Sequence, residues 1–184
     1  MNKKLDPELL QDAAEQLYLI PVDLYHQMLE LDPGLEKTEL FEGVILRKMT
    51  KSTEHNFYTN LLYELLRELK PSGTFIQTEK TIQLERSELE PDISIVEGSM
   101  WDFIKRHPRK ALLIVEVSKT SLAYDRQKLP LYAEAGVEEY WIVDVNTKVL
   151  EIYKQPREKM YMIQKSFTFQ DEIPVFGKTI KLSK

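Results

Sequence analysis

Residues Ala111-Leu112-Leu113-Ile114-Val115-Glu116-Val117 make an apolar run broken by a single carboxylate, with Arg109-Lys110 before it and Ser118-Lys119-Thr120-Ser121 after it. An apolar run of this length without alternation predicts a strand covered on both faces, and so a fold built around a central sheet. Glu116 is costly in such a strand unless a paired cation or a metal ion compensates its charge. Upstream, Pro91-Asp92 opens a second strand-like run, Ile93-Ser94-Ile95-Val96. Downstream, Lys128 closes Tyr124-Asp125-Arg126-Gln127-Lys128. Two carboxylates on adjacent strands plus a lysine are the residue types that metal-assisted phosphodiester hydrolysis uses.

Each of these residues also has an ordinary structural reading. Asp92 follows a proline, as turn residues do; Glu116 fits a sheet-end partner for a lysine, and Lys128 a solvated helix residue. Asp125 reads as a helix cap or surface charge, Asp144 as a sheet-end residue and His55 as a first-turn helix residue. Trp101 and Trp141 read as packing groups.

Punctuation along the chain orders the elements. Asp6-Pro7-Glu8 opens a helix through about Tyr18, and Pro21-Val22-Asp23 opens another that Leu31-Asp32-Pro33-Gly34 stops. Glu39 to Met49 reads as a strand or a hairpin about Glu42-Gly43. Ser52 or Thr53 caps a helix to about Leu69, its apolar face including Phe57, Leu61, Leu65, Leu66 and Leu69. Strands follow over Thr74–Leu84 and Asp92–Val96, then the buried run. Leu122–Ala135 is helical, interrupted by Pro130 and closed by Gly136. Glu139–Val145 is a further strand, and Met160–Ile180 reads as peripheral β structure. This is a mixed α/β order around a central sheet.

Composition narrows the function. A length of 184 residues fits one domain with a real core, and 42% hydrophobic with 30% charged residues is the balance of a soluble globular chain. No apolar stretch approaches the ~20 residues of a membrane span. The Met1–Pro7 segment lacks the apolar region of a signal peptide. With no cysteine, disulfides and cysteine-ligated zinc or iron–sulfur sites are excluded, which fits a cytoplasmic protein. His26, His55 and His107 lie far apart and show no zinc-ligand spacing. The net charge of −5 argues against strong non-specific nucleic-acid binding, which rests on phosphate neutralisation.

Taken together, Pro91-Asp92, Leu113–Ser118, Tyr124–Ala133 and the block Gly136-Val137-Glu138-Glu139-Tyr140-Trp141-Ile142-Val143-Asp144 resemble the Uma-two family of the PD-(D/E)XK nuclease superfamily. Glu39–Gly43 and His55 are similar to its N-terminal pattern, and the resemblance covers residues 20 to 155. It implies a restriction-endonuclease-like α-β-β-β-α-β core with a mixed central sheet, N-terminal helices and peripheral C-terminal strands. It implies metal ligation by Asp92 and Glu116, Mg²⁺ or Mn²⁺ dependence and DNA as substrate. The superfamily lysine stands two residues after the glutamate, where this chain has Ser118; similar families move it to the following helix, where Lys128 matches. Lys119 is a poor substitute, because strand alternation aims it at the opposite face. A homodimer follows by analogy with enzymes that cut both strands. The rival readings are a catalytically degenerate nuclease fold that binds or regulates, and a two-carboxylate glycosidase that needs no metal.

Overall fold

The computed structural model describes residues 16–183, and most of the helix expected over Asp6–Tyr18 lies outside them. Helix α1, Val22–Leu31, follows Pro21 and carries Asp23 in its first turn. A 3₁₀ turn over Pro33–Lys37 leads into a hairpin of β1 (Thr38–Phe41) and β2 (Val44–Arg47). Glu42 and Gly43 have φ of 49° and 79°, as a two-residue hairpin turn of the I′ kind demands. Gly43 is required there a second time, because an added Cβ would come within 2.7 Å of the Leu19 Cβ.

Helix α2, Thr53–Leu69, begins as its sequence predicts: the Ser52 hydroxyl accepts the His55 N–H at 3.1 Å. Its buried stripe is His55, Thr59, Leu62 and Leu66. Phe57, expected on the inner face, is instead 58% exposed against Tyr58. Two apolar stripes compete on this helix. The one carrying Leu62 and Leu66 fits the sheet, and Phe57 lies two residues, or about 200°, away from His55.

The expected strand Thr74–Leu84 is divided. β3 (Thr74–Thr78) ends at Glu79, whose φ of 52° turns the chain away. β4 (Ile82–Gln83) then pairs with β5 (Glu88–Leu89), and β5 pairs with β1, completing a small sheet ordered β2-β1-β5-β4. β6 (Ile93–Glu97) and β7 (Leu113–Ser118) return to the main sheet. Two short helices, α3 (Leu122–Gln127) and α4 (Leu129–Glu134), then cross over to β8 (Glu139–Asp144). β9 (Val149–Arg157) and β10 (Met160–Thr168) extend the sheet edge, and β11 (Ile173–Val175) pairs with β12 (Lys178–Ile180) in a terminal hairpin.

The main sheet is ordered β10-β9-β8-β7-β6-β3, and its β7–β8 pair is parallel, as the helical crossover requires. In sequence order α2, β3, β6, β7, α3–α4 and β8 make the α-β-β-β-α-β core. All six residues of β7 are buried, which explains the apolar run. Leu113, Val115 and Val117 pack with Leu62, Leu66 and Trp141 on one face; Ile114 packs with Leu131, Tyr132, Tyr140 and Ile142 on the other. Each fully buried aliphatic or aromatic side chain stabilises by about 1.5–3 kcal/mol. Trp141 is a packing group as expected, but Trp101 is 75% exposed. It sits on a 3₁₀ turn capped by Ser99 and Asp102, outside both cores.

Candidate active site

β6 and β7 run antiparallel with Ile93 opposite Val115. One step further in that register Asp92, just before β6, falls opposite Glu116. Glu116 reaches Lys128 between α3 and α4, while Asp92 reaches His55 of α2. Asp92, Glu116 and Lys128 line one cleft of about 430 Å³, together with Glu39, Lys51 and His55.

The Asp92 carboxylate is held by three elements. Its Oδ2 accepts the Val117 N–H at 2.8 Å and lies 3.0 Å from His55 Nε2, while Oδ1 accepts from Lys51 Nζ at 2.8 Å. Burial pushes Asp92 up, but His55 and Lys51 outweigh it and hold the carboxyl below its ordinary range. Val117 N–H belongs to the strand of Glu116, so the same contact that orients Asp92 locks the two strands together.

Glu116 is 4% exposed and accepts from Lys128 Nζ at 2.9 Å and, more loosely, from Tyr132 Oη at 3.4 Å, both at Oε1. Burial pushes its carboxyl up to about 8. Lys128 opposes that rise, while the negative charges of Asp125 and Asp92 add to it. For Lys128, burial disfavours the charge, and Glu116 and the other groups around it more than restore it, so the ammonium stays protonated. Lys128 occupies the break between α3 and α4. Pro130 has no N–H for the carbonyl of residue 126, so a continuous helix cannot pass this point. The break turns Lys128 inward: its side chain is 5% exposed, with Nζ 4.7 Å from the centre of the Tyr124 ring and 3.5 Å from Asp125 Oδ1. A solvated helix lysine is therefore not what the fold makes of it.

Asp125, read from sequence as a cap or surface charge, is 3% exposed. Its Oδ2 accepts from the Ser118 and Ser121 hydroxyls, and its backbone carbonyl accepts from Tyr140 Oη at 2.9 Å. Ser118, two residues after Glu116, thus ties β7 to α3 rather than supplying a cation. Lys119 reaches the rim of the cleft, but its ammonium pairs with Glu54 of α2, which also takes Lys148 at 2.6 Å. Asp144 closes a turn, accepting the Asn146 N–H at 2.9 Å and the Thr147 hydroxyl at 2.7 Å. His55 is both a first-turn helix residue and an Asp92 partner. Sequence reading missed Lys51, which sits in the β2–α2 loop with no local signal. It left Glu39 unassigned, and Glu39 enters through the Tyr124 hydroxyl at 2.6 Å.

The model of the Uma2 (Uma-two) family, described as a putative restriction endonuclease, matches residues 22–178. A solved structure titled as a putative nuclease belonging to DUF820, from Anabaena variabilis, is similar with a TM-score of 0.66 and 16% identity. The match covers 82% of this chain and 88% of that one. At this identity the likeness shows the shared fold. No curated protein gives a significant match.

Proposed function

Because the chain belongs to the Uma2 family of putative restriction endonucleases, we propose that it hydrolyses phosphodiester bonds in DNA as a divalent-metal-dependent endonuclease. The observation that carries this reading is the placement of Asp92 and Glu116 across two adjacent strands in one cleft, with Lys128 bonded to Glu116.

The residues fit a hard cation. Mg²⁺ and Mn²⁺ take oxygen donors, and carboxylates are what the cleft offers. Glu39, Asp92, Glu116 and Asp125 share it, and their mutual repulsion is relieved by added positive charge. Glu116 spends both of its protein hydrogen bonds on Oε1, leaving Oε2 for another partner. Lys51 can release Asp92 Oδ1, since it also pairs with Glu79 at 3.0 Å and its side chain is 32% exposed.

When bound, Mg²⁺ or Mn²⁺ polarises the scissile phosphate and lowers the pKa of a bound water. Asp92, just before β6, and Glu116 on β7 would hold it. Lys128, protonated and pinned by Glu116, Asp125 and the Tyr124 ring, directs its ammonium at the attacking water or at the negative charge growing on phosphate oxygens. Arg47, Lys48 and Lys51 line the cleft, but Glu39, Glu79, Glu90, Asp92, Glu116 and Asp125 line it too, so phosphate contacts would be weak without metal and the assay is run at low salt.

The test is incubation of the purified chain with plasmid, linear double-stranded and single-stranded DNA, and RNA, at low salt with Mn²⁺ or Mg²⁺. Metal-dependent cleavage of DNA that stops with EDTA and weakens as salt rises is the expected result. Binding of DNA without cleavage, with metal bound, would instead support a regulatory module, a reading favoured by Lys51 and Lys128 each already neutralising one of the two carboxylates.

A further inference from the structure

His26, Glu88 and His107 lie far apart in sequence, yet the fold gathers them: one ligand atom from each falls within 4.8 Å of the other two. His26 comes from α1, Glu88 from the middle of the small sheet, and His107 from the β6–β7 connection. Three local facts place them. Glu88 is paired on both sides, with Leu40 of β1 and Gln83 of β4. The next residue after His107 is anchored to that sheet, the Gln83 N–H reaching the Pro108 carbonyl at 2.8 Å. α1 is fastened to β1 by Tyr25 Oη and Thr38 Oγ1 at 2.9 Å. The two imidazole centroids are 6.3 Å apart, and His26 Nε2 lies 2.5 Å from Glu88 Oε1.

Glu88 is 5% exposed, and among the described residues its only ion-pair partner is His26. Lys48, the nearby permanent cation, is occupied by Glu90 at 2.7 Å. A buried carboxylate is costly unless something compensates its charge, and a metal ion is one such compensation. Two imidazoles and one carboxylate are a donor set for a borderline ion, and Zn²⁺ takes such ligands at ~2.0–2.1 Å, about 3.3 Å from one another in a tetrahedron. Mg²⁺ prefers oxygen donors and has little use for two imidazoles. His107 is exposed on its loop.

We propose that His26, Glu88 and His107 form a zinc site separate from the Asp92–Glu116 cleft. His26, Glu88 and His107 line a second cleft of about 360 Å³ together with Tyr25, Glu30 and Glu36. The Lys48–Glu90 pair lines both clefts and stands between them. A bound ion joins α1, the small sheet and the β6–β7 connection at one point. The small sheet carries Glu39 and Arg47 to the wall of the first cleft, so the ion stiffens the scaffold of that wall.

The test starts from metal-stripped protein in excess Mg²⁺, which occupies an oxygen site without competing for imidazoles. Zn²⁺ alone is then titrated, with calorimetry and melting temperature as readouts. A single tight equivalent and a raised melting temperature are expected, both preserved in Asp92→Asn. His107→Gln, an exposed change that leaves the fold intact, and His26→Gln lower Zn²⁺ affinity by at least tenfold to a hundredfold, roughly what loss of an outer-shell partner already costs. Co²⁺ in place of Zn²⁺ gives the visible absorption of a tetrahedral ion, lost in His107→Gln. The proposal fails if no Zn²⁺ binds, if both histidine variants bind it as wild type does, or if Asp92→Asn removes it.

Discussion

Glu116→Gln is expected to lower DNA cleavage at least about a thousandfold, or ~4 kcal/mol of transition-state stabilisation, and to abolish the rise in melting temperature that Mn²⁺ gives the wild-type chain. The amide is isosteric with the carboxyl, and burial already disfavours a charge at this position, so the fold accommodates the change. What the substitution removes is the anionic donor from β7. Asp92 alone, engaged by Lys51 and His55, offers too little charge to retain the ion. Cleavage is read on plasmid DNA and metal binding by thermal melting. An unchanged Mn²⁺ response in the variant places the ion elsewhere.

Lys128→Ala is expected to separate binding from turnover. In the proposed mechanism the ammonium acts on the water or the transition state, so its loss is expected to lower kcat by about a hundredfold to a thousandfold, the range seen for removal of one charge-stabilising donor. It also leaves Glu116 buried without its cation, which destabilises the metal-free chain. Both carboxylate donors remain, so the metal-induced rise in melting temperature is expected to persist. Lys119→Ala is the control. Its ammonium belongs to the Glu54 pair on the α2 side, so cleavage and metal response both persist. Cleavage at the wild-type rate in Lys128→Ala removes the assigned role.

The central strand was legible because burial on both faces leaves a compositional trace, and β7 is buried throughout as its apolar run requires. Caps and turns with their own chemistry were legible too: Ser52 before α2, Glu42-Gly43 in the hairpin, Gly136 after α4. The division of Thr74–Leu84 between two sheets was not, since it depends on one left-handed residue, Glu79, that nothing in the local pattern marks. Asp92, Glu116 and Lys128 were legible as candidates, and the fold brings them into one cleft. The burial of Asp125 and the reach of Lys51 to Asp92 are tertiary outcomes of the α3–α4 break and the β2–α2 loop. The meeting of His26 with His107 has no sequence signal at all, because the spacing that marks a local zinc motif is replaced by contact between α1 and a loop 81 residues later.

The most direct measurement is a crystal structure of the chain soaked with Mn²⁺, with anomalous scattering locating the ion. A peak is expected in the larger cleft, with oxygens of Asp92 and Glu116 at coordination distance, the Lys51 ammonium withdrawn toward Glu79 and the Lys128 ammonium still facing the pocket. An Mn²⁺ ion bound away from both carboxylates, or none at a concentration that supports cleavage, would contradict the account.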